Sequence, residues 1–372
     1  MLARKHWFTL ASGLISIFTI YLLYRWLKAQ EEDIVLPSGG TAWGYIGAAI
    51  AVYLFSFVIR GLRWRVLLTE VGVRPPLRDA TGLLTVGYAA NTLLPARAGD
   101  AVRVFLMAQR TEAGPSLMVS TLIAERLLDV VVLGSTFVIT SLVFAGGIPT
   151  GGKAIVAIVL LSIALIGVLA VRWAVRGDHV PPGVQGILRD ASLAVRQLRG
   201  SRHLAQVAAL TIAAWTCEAF VYLLCSKAVG IHLNLGSAAY VLSTAAMFTM
   251  IPSGPGFAGT MDSALVFALR VLDEPKNLVF PYIFTLRFVI FIPITIIGGL
   301  LLVLRYGGFG AIKAARKAQE TENDEAEAAA KAHLPLQDLP TGEMAAISAE
   351  ALSKSANGNG AAASHAGTAD RT

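Results

Sequence analysis

The chain has 372 residues, 55% of them hydrophobic and only 15% charged, with a mean hydropathy of +0.64 and a net charge of +7. Soluble domains carry about 25% charged residues, so a soluble enzyme is excluded from the start. A nucleic-acid binder is excluded too, because the basic residues sit at the edges of apolar runs and form no stripe among polar neighbours.

The first apolar run, Trp7–Leu27, follows Arg4 and Lys5 and is long enough to span a bilayer, which takes roughly 20 residues. It reads as an anchor and not as a signal peptide, since no small-x-small cleavage site follows it. Thr41–Ile59 is the second span and is expected to end in the basic cluster Arg60, Arg63, Arg65. Asp79–Ala108 is apolar to Leu94, breaks at Pro95-Ala96-Arg97-Ala98-Gly99, and resumes as a helix from Asp100. Full spans follow at Ser116–Ala145, Lys153–Val175 and His203–Val229. Between the last two, the loop Pro181–Arg202 carries an amphipathic pattern that suits either the inner leaflet or a solvated connector. Ser237–Leu272 repeats the broken pattern, with its break at Pro252-Ser253-Gly254-Pro255-Gly256-Phe257-Ala258-Gly259. Lys276–Leu304 is the last span, and from about Ala318 the chain is Ala-, Glu-, Ser- and Gly-rich, the composition of a disordered tail.

The Arg- and Lys-rich segments Arg60–Arg78, Arg172–Arg202 and Arg305–Lys317 are expected to face the cytoplasm, with both termini. Alternation then requires each broken segment to begin and end on one side of the membrane. Irregular backbone at that depth must be buried in protein or line a watery cavity, so both read as re-entrant helix pairs. The expected fold is an all-α integral membrane protein of about six full transmembrane helices plus two re-entrant pairs. Span, re-entrant pair, span occurs in 41–145 and again, from the opposite side, in 203–304. That is the footprint of an inverted repeat and points to a transport site at the breaks. The bland alternative is a bundle with two kinked helices. Three regions follow: an anchor and outer loop (1–40), a membrane domain (41–304) and a cytoplasmic tail (305–372).

Charges inside apolar segments cost about 2.5–3.5 kcal/mol each at a helix centre, so each is a candidate for function. One span carries Thr121-x-x-x-Glu125-Arg126-x-x-Asp129, two acids and a base within little more than a turn. Glu218 and Arg287 lie mid-span and could neutralise each other, while Asp100 and Asp262 open helices, where an acid also serves as a cap. Cys217 and Cys225 read as small buried hydrophobes. No nucleophile, phosphate loop or metal spacing occurs, so neither a cofactor nor a catalytic residue is expected.

The stretch Gly87-Tyr-Ala-Ala-Asn-Thr-Leu-Leu-Pro-Ala-Arg-Ala-Gly-Asp-Ala-Val-Arg103, then Ala124-Glu-Arg-Leu-Leu-Asp129, then Ile251-Pro-Ser-Gly-Pro-Gly-Phe-Ala-Gly259, resembles the lysylphosphatidylglycerol synthase transmembrane region, also called the flippase-like domain family. The family includes stand-alone bacterial members, some linked to hopanoid biosynthesis. The resemblance covers about Thr41 to Leu304. It implies a lipid-translocating domain of the bacterial inner membrane, with paired re-entrant helices around a cavity. It also implies that the aminoacyl-transferase domain of the bifunctional relatives is missing here, so that the chain does not make lysylphosphatidylglycerol. On this reading Arg97, Arg103, Arg126, Arg287 and Asn91 hold an anionic or zwitterionic headgroup. Asp100, Glu125, Asp129, Glu218 and Asp262 balance charge or carry protons. Pro95, Gly99, Pro252, Gly254, Pro255, Gly256 and Gly259 form the breaks. The alternative is a scaffold that tethers lipid-biosynthesis enzymes without moving lipid.

Overall fold

In a computed structural model, the described residues are 37–94, 98–111, 113–144, 202–249, 255–308 and 310. The spans expected at Trp7–Leu27 and Lys153–Val175, the loop Pro181–Arg202 up to its last residue, the tail from Ala311, and Pro95, Arg97, Pro252 and Gly254 lie outside them. The described residues are helical throughout: α1 (Gly40–Glu70), α2 (Leu77–Leu93), α3 (Ala98–Thr111), α4 (Pro115–Phe144), α5 (Arg202–Ala228), α6 (Leu235–Phe248), α7 (Thr260–Val271) and α8 (Lys276–Arg305), with a 3₁₀ turn at Pro255–Phe257. All belong to one compact unit, Met1–Ala315. Four of them (α1, most of α4, α5 and α8) are long and apolar enough to cross a membrane, and the chain is a multi-pass membrane protein.

One span departs from the sequence expectation. α1 does not stop at Ile59 but runs 31 residues to Glu70, about 46 Å at 1.5 Å per residue. Arg60 and Arg63 are buried inside it, while Arg65 stays exposed. They are not cytoplasmic markers, because acids from α4 and α5 meet them in the interior.

The helix ends are set locally. α1 closes at Gly72 (φ 86°), where Val73 N–H donates to the Leu68 carbonyl. α5 closes the same way at Gly230 (φ 85°), where Ile231 N–H donates to the Ser226 carbonyl. In both cases a residue that tolerates positive φ lets the chain fold back over its own last turn. α6 then starts on a reciprocal cap: Asn234 Oδ1 accepts from Ser237 N–H and Ser237 Oγ accepts from Asn234 N–H, both at 2.9 Å. α8 tolerates Pro281 and Pro293 in its interior, as neighbouring helices allow within a membrane.

Packing relates the two runs of helices. α1 lies along α5; α2 packs on α8 as α6 packs on α4; α2 packs on α3 as α6 packs on α7. The remaining helix pairs also match when α1–α4 are exchanged for α5–α8: α1·α2 with α5·α6, α1·α8 with α5·α4, α3·α4 with α7·α8, and α1·α4 with α5·α8. Small residues permit the closest approaches, as is usual where lipid supplies no hydrophobic drive between helices. Gly87 and Gly99 bring the α2 and α3 backbones together, and a side chain at Gly99 would overlap the Gly87 carbonyl oxygen. Gly298 sets α8 against Thr85 and Ala89 of α2 in the same manner.

Candidate functional site

The charges of α1, α3, α4 and α5 converge behind one wall of a cleft. Glu125 is fully buried and takes Nη2 of Arg103 at 3.1 Å and Nη2 of Arg63 at 3.1 Å. Asp129 takes Nη1 of Arg63 at 2.5 Å, Nε1 of Trp215 at 2.9 Å and Nη1 of Arg126 at 3.5 Å. Asp100 accepts from Arg126 Nη2 with both oxygens at 3.1 Å and lies 3.5 Å from Nε of Arg103. Arg60 forms an ion pair with Glu218, donates to the Tyr88 hydroxyl at 3.2 Å, and sits over the Trp215 ring with its central carbon 4.6 Å from the centroid. The guanidinium of Arg103 similarly lies 5.0 Å from the Trp64 centroid. Aromatic faces and multiple carboxylate oxygens thus replace the water that these cations lose.

The cleft itself measures about 800 Å³ including its open mouth. Its polar wall is Tyr53 and Arg60 of α1, Tyr88, Asn91 and Thr92 of α2, Arg126 of α4, and Trp215, Glu218 and Tyr222 of α5. The facing wall comes mainly from Leu242, Ala245 and Ala246 of α6, Met261 of α7, and Ile290, Phe291 and Ile294 of α8, with Phe257 and Thr249 at the break. Arg126 is the arginine of the network with an accessible head group, its side chain 29% exposed. Asn91 Oδ1 is buried without a hydrogen-bond partner beside it.

A second ion pair closes the other break. Arg287 of α8 donates to both oxygens of Asp262, at 2.6 and 2.8 Å, and to the Gly256 carbonyl at 3.2 Å. Asp262 also accepts from the Gly259 N–H at 2.9 Å, so it caps α7 and binds the arginine at once. Gly256 (φ 62°) and Gly259 (φ 85°) supply the left-handed backbone of this turn.

Position by position, the two breaks correspond. Arg126 is the twelfth residue of α4 counted from Pro115, and Arg287 is the twelfth of α8 counted from Lys276. Asp100 and Asp262 are each the third residue of the helix after a break. Arg60 precedes Gly72 by twelve residues, and Glu218 precedes Gly230 by twelve, so equivalent positions of the two halves meet as an ion pair. The equivalents of Glu125, Asp129 and Arg103 are Leu286, Ile290 and Leu265. The cluster of Arg103, Glu125 and Asp129 therefore has no charged counterpart in the second half, which adds Trp215 and Glu218 of α5 to the network and supplies the apolar wall from α6, α7 and α8.

Three sequence expectations change. Glu218 and Arg287 do not neutralise each other; each has its own partner, Arg60 and Asp262. Arg103 has no face on the cleft: its side chain is 0% exposed and its charge is held by Glu125, which removes it from headgroup contact. Arg60 and Arg63, taken for loop markers, are the centre of the network. The signal that reveals them is the apolar pattern continuing past them, through Leu62, Trp64, Val66, Leu67 and Leu68. Asn91, Arg126 and Glu218 do line the cleft. Among the described residues no group of three metal-ligating side chains occurs.

Residues 9–298 match the family model described as the lysylphosphatidylglycerol synthase TM region. The chain is 22% identical over 310 residues to "Glycosyltransferase AglD" of Haloferax volcanii, covering 71% of this chain and 49% of that protein. It thus spans about half the length of that relative. It is also 22% identical over 217 residues to "UPF0104 membrane protein MJ1078" of Methanocaldococcus jannaschii, covering 57% of this chain and 92% of that one. No solved structure matches.

Proposed function

We propose, from the premise that this chain belongs to the lysylphosphatidylglycerol synthase transmembrane-region family, that it is a lipid translocase of a bacterial inner membrane. The observation that carries this reading is the two-faced cleft. One wall offers arginine, asparagine, tyrosine, tryptophan and the Glu218 carboxylate to a headgroup, and the other offers mainly apolar surface to an acyl chain. A translocase must shelter both parts of one amphiphile at membrane depth, and this cleft is lined for that. Arg126 is the headgroup ligand: its Nη2 meets both oxygens of Asp100 and its Nη1 an oxygen of Asp129, and the same two nitrogens can turn as a fork to a phosphate.

The architecture we assign is an inverted repeat, α1–α4 against α5–α8, with α2/α3 and α6/α7 as re-entrant pairs. The matched packing partners, the matched Gly72 and Gly230 helix ends and the matched Arg–Asp pairs support it. Both termini are assigned to the cytoplasm, together with the exposed Arg65, Arg74 and Arg78 around the α1–α2 turn. The reaction forms and breaks no covalent bond in this reading.

The test is transfer of headgroup-labelled phospholipid between leaflets of reconstituted vesicles. Wild type accelerates transfer over empty vesicles; Arg126→Gln abolishes it while remaining folded, and Arg126→Lys restores part, because a point charge does not replace the fork. A folded wild-type protein that leaves transfer at the level of empty vesicles refutes the translocase and favours a scaffold for lipid-biosynthesis enzymes.

A further inference from the structure

The network behind the cleft is electrically closed. Arg60, Arg63, Arg103 and Arg126 face Asp100, Glu125, Asp129 and Glu218, four charges of each sign. An anionic headgroup that docks on Arg126 adds one negative charge to a set that has none to spare. An uncompensated buried charge is costly, and a group in such a place neutralises in preference to remaining charged.

The carboxylates are not equally able to neutralise. Glu125 is held between Arg103 and Arg63, and Asp129 among Arg63, Arg126 and Trp215. Asp100 has Arg126, Arg103 and the Asn91 amide. Glu218 has a single cationic partner, Arg60, and is the carboxylate that lines the cleft, its side chain 15% exposed. The groups around it are known from each side. α1 presents Arg60 and Tyr53, α2 presents Tyr88, α4 presents Asp129 and Arg126, and its own helix presents Trp215 and Tyr222. The walls from α6 and α8 present apolar side chains, with Arg287 already bound to Asp262.

We propose that an anionic phospholipid headgroup enters this cleft together with one proton, and that Glu218 takes the proton. The inference rests on the translocase reading and specifies its co-substrate. The step is an acid–base one: a hydronium ion, replenished by the buffer, breaks one O–H bond at the cleft mouth and passes its proton to a Glu218 oxygen, leaving neutral water; the proton returns to water when the lipid leaves. Protonation releases Arg60, whose Nε has no hydrogen-bond partner in the resting network. Arg60 and Arg126 then both turn their donors to the phosphate. Net charge in the site is zero before and after.

The experiment is a proton count by titration calorimetry of the full chain in detergent, with dihexanoyl phosphatidylglycerol as the probe, run in buffers of different ionisation enthalpy. Wild type takes up close to one proton per lipid bound, and its affinity falls about tenfold per pH unit once Glu218 is ionised in the free protein, as linkage requires. Dihexanoyl phosphatidylcholine, which adds no net charge, binds without proton uptake. Glu218→Gln binds the anionic lipid with no proton uptake and no pH slope. Binding of phosphatidylglycerol to wild type without proton uptake overturns the proposal, as does no binding, or uptake that persists in Glu218→Gln. Because the wild-type count alone decides it, a Glu218→Gln variant that fails to fold does not rescue the idea. Vesicle transfer is scored separately, so a protein that binds with a proton but moves no lipid sinks the translocase and leaves this inference standing.

Discussion

Replacing Arg63 by methionine removes the fully buried arginine that ties Glu125 to Asp129 at short range. Its side chain is fully buried, and it gives 3.1 Å and 2.5 Å contacts to the two acids. Breaking a buried ion pair from one side costs about 3–5 kcal/mol, mostly from the charge left behind. Here both acids retain support, Glu125 from Arg103 and Asp129 from Trp215 and Arg126, which puts the cost at the lower end, about 3 kcal/mol. The double variant Arg63→Met/Asp129→Asn restores electrical balance and is expected to recover at least half of the loss, a coupling of about 1.5 kcal/mol or more. Cys225 provides the assay. It is buried against the core, so a thiol-reactive fluorophore reports unfolding once the partly buried Cys217 is replaced by serine. The single variant is expected to melt about 6–12 °C below wild type, by the scale of domains of 150–250 residues, and the double variant in between. A single variant within about 2 °C of wild type, or a double variant below the single, refutes the claim that charge balance holds this region together.

Other outcomes follow from the same contacts. Gly99→Ala places a methyl group on the Gly87 carbonyl and 2.6 Å from the Asn91 nitrogen, so it should cost about 1–3 kcal/mol; Gly134→Ala, which meets open space, should be neutral in the same melting assay. Single cysteines at Arg74 and His232, in a background lacking Cys217 and Cys225, should label with impermeant reagents from opposite sides of the membrane. Labelling from one side removes the inverted repeat. Burial pushes the Glu274 carboxyl up, with His232 opposing and Asp273 adding to it. The folded state therefore holds that proton more tightly than the unfolded chain, a stabilisation present at low pH and lost as pH rises through the folded value. Glu274→Gln should accordingly raise stability at neutral pH, and the gain should shrink as pH falls.

Sequence reasoning reached the helices that lipid dictates and missed what the partners dictate. The spans at α4, α5 and α8 and both broken segments are legible because apolar length and Pro-Gly interruptions are local properties. Asn91, Arg126 and Glu218 are legible as polar groups in apolar runs. The pairing is not. Nothing near Glu218 in the chain distinguishes Arg60 from Arg287 as its counter-ion, and the assignment depends on which helices lie side by side. Arg60 and Arg63 failed for a related reason, since a basic cluster after 19 apolar residues has the local form of a span reaching water. Their burial depends on acids far along the chain.

That distance bears on how the protein is made. Arg63 is separated from Asp129 by 66 residues, and Arg60 from Glu218 by 158. α1 therefore leaves the ribosome and meets the bilayer long before its counter-ions exist. In that interval its stable position is the one the bare sequence describes: Thr41–Ile59 across the hydrocarbon, with the arginines held at the interface, where charge is cheap. Only when α4 and α5 arrive are the carboxylates present that bury Arg60 and Arg63. A chain arrested before α5 emerges would leave Arg60 open to water, whereas completed synthesis closes it off. The Arg60–Glu218 pair can therefore form only after both α1 and α5 have been made.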